Sequence, residues 1–157
     1  MAVNNREKII ALWTVFLLGI LFHTLLGLMP LFHGLSVVES QKATSMSDIS
    51  GIMWLMLGFF VLPMLAIIAT TFTDSRRYRV IHFGLTVFYS VMNLIHLVAD
   101  LLLPQIIWYQ IALMVLLFLI GLLLNVVAYQ WMRSQFHSNK LLTTGELRAP
   151  TTNGSRD

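Results

Sequence analysis

The chain has 157 residues, 57% of them hydrophobic and 11% charged, less than half the roughly 25% charge of a typical soluble domain. It has no cysteine, which excludes disulfides, thiolate metal sites, iron–sulfur clusters, cysteine nucleophiles and covalently attached c-type haem. The net charge of +3 and a pI near 9.6 do not point to nucleic acid, because the basic residues flank apolar blocks and so face the lipid bilayer surface.

Four such blocks approach or exceed the roughly 20 apolar residues that a helix needs to cross a bilayer. The first covers about 9–28. Arg6 and Lys8 precede it as they would a signal peptide, but the block is too long for one and no small-residue cleavage site follows, so it is expected to stay as a helix. Pro30 is expected to end it. A connection over about 31–49 carries Glu39, Lys42 and Asp48. The second span, about 50–72, holds Pro63, which should kink it. The basic turn Asp74-Ser75-Arg76-Arg77-Tyr78-Arg79 leads to a third span, about 80–103. Pro104 and Gln105 leave only a tight turn before the fourth span, about 106–132, so the last two spans are expected to be antiparallel neighbours. The tail 138–157 is rich in Thr, Ser, Asn, Gly and charge, and is expected to be a disordered cytoplasmic extension.

Nine of the ten Lys and Arg residues then fall on one side of the membrane, with Lys42 alone on the other. The excess marks the cytoplasmic side. The expected fold is an all-α integral membrane four-helix bundle, up-down-up-down, with both termini cytoplasmic, in a bacterial cytoplasmic membrane. Trp13, Tyr78, Tyr129 and Trp131 near the inner ends, and Trp54, Trp108 and Tyr109 near the outer ends, are expected to form interfacial belts. Gly19, Gly27, Gly58 and Gly121 suit close helix approach.

The third span carries the most informative pattern. His82, Thr86, Tyr89, Asn93, His96 and Asp100 recur at alternating steps of four and three, which places them on one helix face. Ionisable groups inside a bilayer face protein or water, so this stripe is expected to face the bundle interior. Thr86, Tyr89 and Asn93 are readable as interhelical hydrogen-bonding groups, and His82 as interfacial. Asn125 on span four, at about the depth of Thr86, is expected to bond across helices.

His96 and Asp100 lie four residues apart, a spacing that lets the carboxylate orient the imidazole or ligate an ion beside it. His23 is roughly 21 Å of helical rise from the start of span one and His96 roughly 24 Å from the start of span three. Both spans run outward, so the two imidazoles meet at similar depth, with His33 placed to cap the group from outside. His23, His33, His96 and Asp100 thus form a candidate metal set for zinc, copper or iron. His23 and His96 are also candidate axial ligands of a b-type haem, and a His–Asp pair can relay protons or hold a quinone headgroup. Satisfied structural histidines are the plain alternative. At the level of function the choices are a redox or cofactor-binding membrane protein, a non-catalytic accessory or assembly subunit of a larger membrane complex, or a small proton-coupled transporter. Four helices are few for a carrier, so the last implies a homo-oligomer. No phosphate loop, nucleophile elbow or zinc-protease signature is present.

Overall fold

The computed structural model describes residues 4–36, 45–103 and 106–146, with side chains as far as Ser134. The described chain is all helical: α1 Asn5–Phe32, α2 Met46–Phe72, α3 Arg76–Leu101 and α4 Trp108–Glu146. All four are long and apolar enough to span a membrane.

Local chemistry sets most of the helix ends. Asn4 accepts a hydrogen bond from the Arg6 backbone N–H at the start of α1, and Ser75 does the same for Tyr78 at the start of α3. The α2 helix begins four residues earlier than expected. Ser45 and Asp48 form a capping box, with the Ser45 N–H donating to the Asp48 carboxylate at 3.1 Å. These polar residues belong to a helix cap and not to a loop.

Pro30 does not end α1, which runs on to Phe32. Proline removes the hydrogen bond behind it but keeps a helical φ, so the turn ahead of it can continue. The stop is Gly34, at φ +77°. The Leu35 N–H donates back to the Pro30 carbonyl at 3.0 Å and the Gly34 N–H to the Leu31 carbonyl at 3.1 Å, the paired bonds of a Schellman cap. The expected turn at Pro104–Gln105 and the loop residues Glu39 and Lys42 lie outside the described residues, as does 147–157. Helix α4 continues to Glu146, past the expected end at Met132 and into the segment expected to be disordered.

Helix α4 lies between α1 and α3 and packs closely on both, while α1 also packs on α2. The start of α1 meets the end of α2, and the start of α3 meets α4 at Trp131. This end of the bundle carries Arg6 and Arg79 and is called the basic end below. Apolar burial alone does not hold helices together in a membrane, because lipid tails are as apolar as leucine. Close approach therefore matters more. Gly19 admits Leu117 of α4 so tightly that an added Cβ would stand 2.3 Å from its Cδ2. Gly121 does the same for Ser90, at 3.0 Å from its Oγ. Gly58 has nothing within 4 Å, so it is not a packing position.

The core joins Ile9, Trp13 and Phe16 of α1 to Tyr89 of α3 and to Leu117, Leu124 and Trp131 of α4. Two expected belt residues are thereby reassigned. Trp13 is 0% and Trp131 3% exposed, and their rings pack edge-on against His82. Trp54, Trp108 and Tyr109 are exposed.

Helix α2 is the loosest element and leaves most of its leucines and methionines exposed. One bond ties its middle to α3. Pro63 has no N–H, which frees the carbonyl four residues back, at Phe59. Tyr89 donates its hydroxyl to that carbonyl at 2.6 Å, and the Tyr89 and Phe59 rings lie 4.7 Å apart. A stripe residue of α3 thus supplies the donor that the proline withholds.

Candidate functional site

The stripe of α3 faces the bundle for most of its length. His82, Thr86, Tyr89 and Asn93 are all buried, and so are Arg79 and Ser90, which the sequence reading did not place on this face. Ser90 lies one residue past Tyr89, and its hydroxyl accepts from the Asn125 amide of α4 at 2.9 Å. The expected interhelical bond of Asn125 exists, one turn along from Thr86.

At the basic end His82 is not interfacial. It is 1% exposed, and its Nε2 accepts from the Trp13 indole N–H at 3.0 Å. Beside it, Arg79 donates to the Asp74 carboxylate, the Trp131 carbonyl and the Ser134 hydroxyl. Its guanidinium lies over the Trp131 ring. Arg6 donates to the Thr70 and Thr71 carbonyls at the end of α2, where helix carbonyls lack intrahelical donors. Tyr78 donates its hydroxyl to the Ala66 carbonyl at 2.8 Å. This polar cluster is satisfied by its own members, apart from Nδ1 of His82.

The opposite part of the bundle differs. Ile9, Trp13 and Phe16 define the inward face of α1, and steps of four and three along that face lead through Ile20 to His23. On α3 the same stepping leads from Asn93 to His96 and Asp100. The His23 and His96 rings stand 5.6 Å apart, edge to face. One carboxylate oxygen, Oδ2 of Asp100, lies 3.6 Å from Nε2 of His23 and 3.7 Å from Nε2 of His96. The three residues offer ligand atoms that all fall within 4.8 Å of one another. Both carboxylate distances exceed hydrogen-bonding range, so Asp100 stands between two imidazoles and does not simply anchor the tautomer of His96. His96 is more open than the stripe pattern implies, with 57% of its side chain exposed, against 15% for His23 and 17% for Asp100.

His33 is not part of this group. Because α1 continues through Pro30, His33 sits ten residues beyond His23, about 15 Å of helical rise away, exposed at the C-cap. The side chain of His137 lies outside the described residues.

Two features set this group apart from ordinary packing. Asp100 occupies the last turn of α3, which has no basic residue. A carboxylate there opposes the negative end of the helix dipole, an effect of about 0.3–1 kcal/mol. In addition, three of the five buried side-chain atoms without a hydrogen-bond partner among the described residues gather here, Nε2 of His23, Oδ2 of Asp100 and Oδ1 of nearby Asn93, while the other two, on His82 and Asn125, lie apart. Leaving such a group unsatisfied costs about 1–3 kcal/mol. A cavity of about 240 Å³ adjoins them, bordered by His23, Thr24, Asn93 and His96 and otherwise by apolar side chains.

No protein-family model, curated protein or solved structure matches the chain. What the fold and site define is a class: an all-helical protein with four helices able to span a membrane, and a His/Asp group that could hold a metal ion.

Proposed function

We propose that the protein is an integral membrane metal-binding protein in which His23, His96 and Asp100 hold one divalent transition-metal ion. The observation that carries this reading is the position of the Asp100 oxygen, 3.6 and 3.7 Å from the two imidazole nitrogens. Ligand atoms at about 2.0–2.2 Å from a tetrahedral zinc stand about 3.3–3.6 Å apart. The two Asp100 distances are close to that and all three ligand atoms fall within 4.8 Å of one another; closing the set on an ion requires the exposed His96 ring to turn. Two imidazoles and one carboxylate suit zinc, copper or non-haem iron, and three protein ligands leave a coordination position open, as in catalytic and transfer sites. A b-type haem is supported less well, because the Asp100 oxygen stands where the macrocycle between two axial imidazoles would have to lie.

The basic end, with Arg6, Arg76, Arg77, Arg79 and Arg133, is the cytoplasmic end on this reading. The chain crosses the bilayer four times, and the metal group lies toward the opposite face.

Zinc titration of chelator-stripped protein in detergent tests the reading. Wild type takes up one zinc per chain, His23→Ala and Asp100→Asn each bind at least about tenfold more weakly, and His33→Ala binds like wild type. Binding weakens on acidification, because protons compete for the same nitrogen and oxygen atoms. Equal zinc uptake by wild type and His23→Ala would leave the accessory-subunit reading as the better one.

A further inference from the structure

The cavity beside the metal ligands has two unlike walls. On the α2 side and at its floor it presents Met56, Phe59, Phe60 and Met114, a surface of rings and thioethers suited to a flat ring. On the α1 and α3 side it presents His23, Thr24, Asn93 and His96. The hydrogen-bonding state of that polar wall is specific. Thr24 donates its hydroxyl proton to the Ile20 carbonyl and so has only acceptor capacity left. Asn93 is 5% exposed, and its Oδ1 has no donor. Alongside the imidazole and amide N–H groups, the wall therefore holds one buried acceptor, Oδ1 of Asn93, that lacks a donor. Helices α2 and α3 make little backbone contact, and the Tyr89–Phe59 bond joins them on the basic-end side of the cavity. Leu55, Met56 and Met92, which border the cavity on these two helices, are exposed, so molecules dissolved in the lipid can reach it there.

We infer that this cavity binds the head of a lipid-soluble phenol or quinol. The ring lies among Met56, Phe59 and Phe60, its hydroxyl donates to Asn93, and its tail leaves through the α2–α3 seam. Asn93 is then the residue that discriminates hydroxyl-bearing rings from apolar ones, because only a donor satisfies its oxygen. Occupancy of the cavity does not require the metal ion, although a ring held there lies beside His23 and His96.

The test uses the full chain in lipid nanodiscs with three probes: a decyl-substituted benzoquinol, its dimethyl ether and zinc. Wild type binds the quinol at least about tenfold more tightly than the ether, the discrimination expected of one buried hydrogen bond. Asn93→Leu removes an amide whose buried oxygen has no donor and puts a side chain of similar size in its place. It keeps wild-type thermal stability or gains some, keeps zinc affinity, and loses the preference for quinol over ether. A photoreactive quinol analogue labels wild type at Met56, Phe60 or Met92. Equal binding of quinol and ether, retention of the preference by Asn93→Leu, or labelling confined to other residues each overturns the inference. If Asn93→Leu fails to fold, the wild-type ratio and the labelling map decide alone. Quinol binding without zinc uptake would sink the metal reading only, and zinc uptake without quinol binding would sink this one only.

Discussion

Replacing Tyr89 with Phe deletes one oxygen, and the cost of that deletion depends on Pro63. In the native sequence the Phe59 carbonyl accepts from the Tyr89 hydroxyl at 2.6 Å, and its usual intrahelical donor is missing because Pro63, inside α2 four residues on, has no N–H to offer. Tyr89 is 1% exposed, so water does not replace it readily. Tyr89→Phe then strips that donor from a half-buried carbonyl, at about 1–3 kcal/mol. In a Pro63→Ala background the helix supplies its own N–H to the Phe59 carbonyl. The same substitution should then cost only about 0.6 kcal/mol, the average for an interhelical bond in a membrane protein. A double-mutant cycle in mixed micelles, read by reversible unfolding in denaturing detergent, measures the difference. The expected coupling is about 0.4–2.4 kcal/mol. An equal cost of Tyr89→Phe in both backgrounds would show that the hydroxyl does not serve the carbonyl that the proline frees.

Trp13→Phe leaves the buried His82 imidazole without its only donor and should destabilise by about 1–3 kcal/mol. In a His82→Leu background the loss should shrink to the packing contribution alone, as thermal unfolding will show. Gly19→Ala must displace the Leu117 side chain, which is 1% exposed and enclosed by the core, and should cost about 1–3 kcal/mol. Gly58→Ala meets open space and should be neutral or stabilising by up to about 1 kcal/mol, the helix penalty of glycine. Matched losses at the two glycines would contradict the α1–α4 packing. Alkaline phosphatase fused at Asp157 should be inactive and a fusion near Ser45 active; the reverse pattern would invert the proposed orientation.

The four helices and the inward face of α3 were legible because both follow from short-range rules: block length against bilayer thickness, and the three–four step of a helix face. The meeting of His23 with His96 was legible for the same reason, since equal rise along two helices running the same way fixes equal depth. What the sequence hid depended on partners. Pro30 is the louder stop signal, but Gly34 terminates α1, because a proline in the last turn forfeits only the bond behind it. That one difference carries His33 away from the site. Trp13 and Trp131 look like belt residues by position and are core residues by contact; their environment is set by His82 and Arg79, far away in sequence. Arg79 sits in a basic turn and reads as a surface charge, yet it lies on the buried face three residues before His82, a step that the stripe itself could have revealed. The role of Asp100 also needed the fold. From α3 alone it is a neighbour of His96, and only the approach of α1 places its oxygen between two imidazoles.

X-ray absorption at the zinc edge of zinc-loaded protein tests the metal centre most directly. One zinc is expected with nitrogen and oxygen neighbours at about 2.0–2.2 Å and the outer-shell scattering of two imidazoles, falling to one in each of His23→Ala and His96→Ala and unchanged in His33→Ala. A shell of oxygen alone, or an outer-shell signal that stays at two imidazoles in His23→Ala and His96→Ala, would contradict the metal centre.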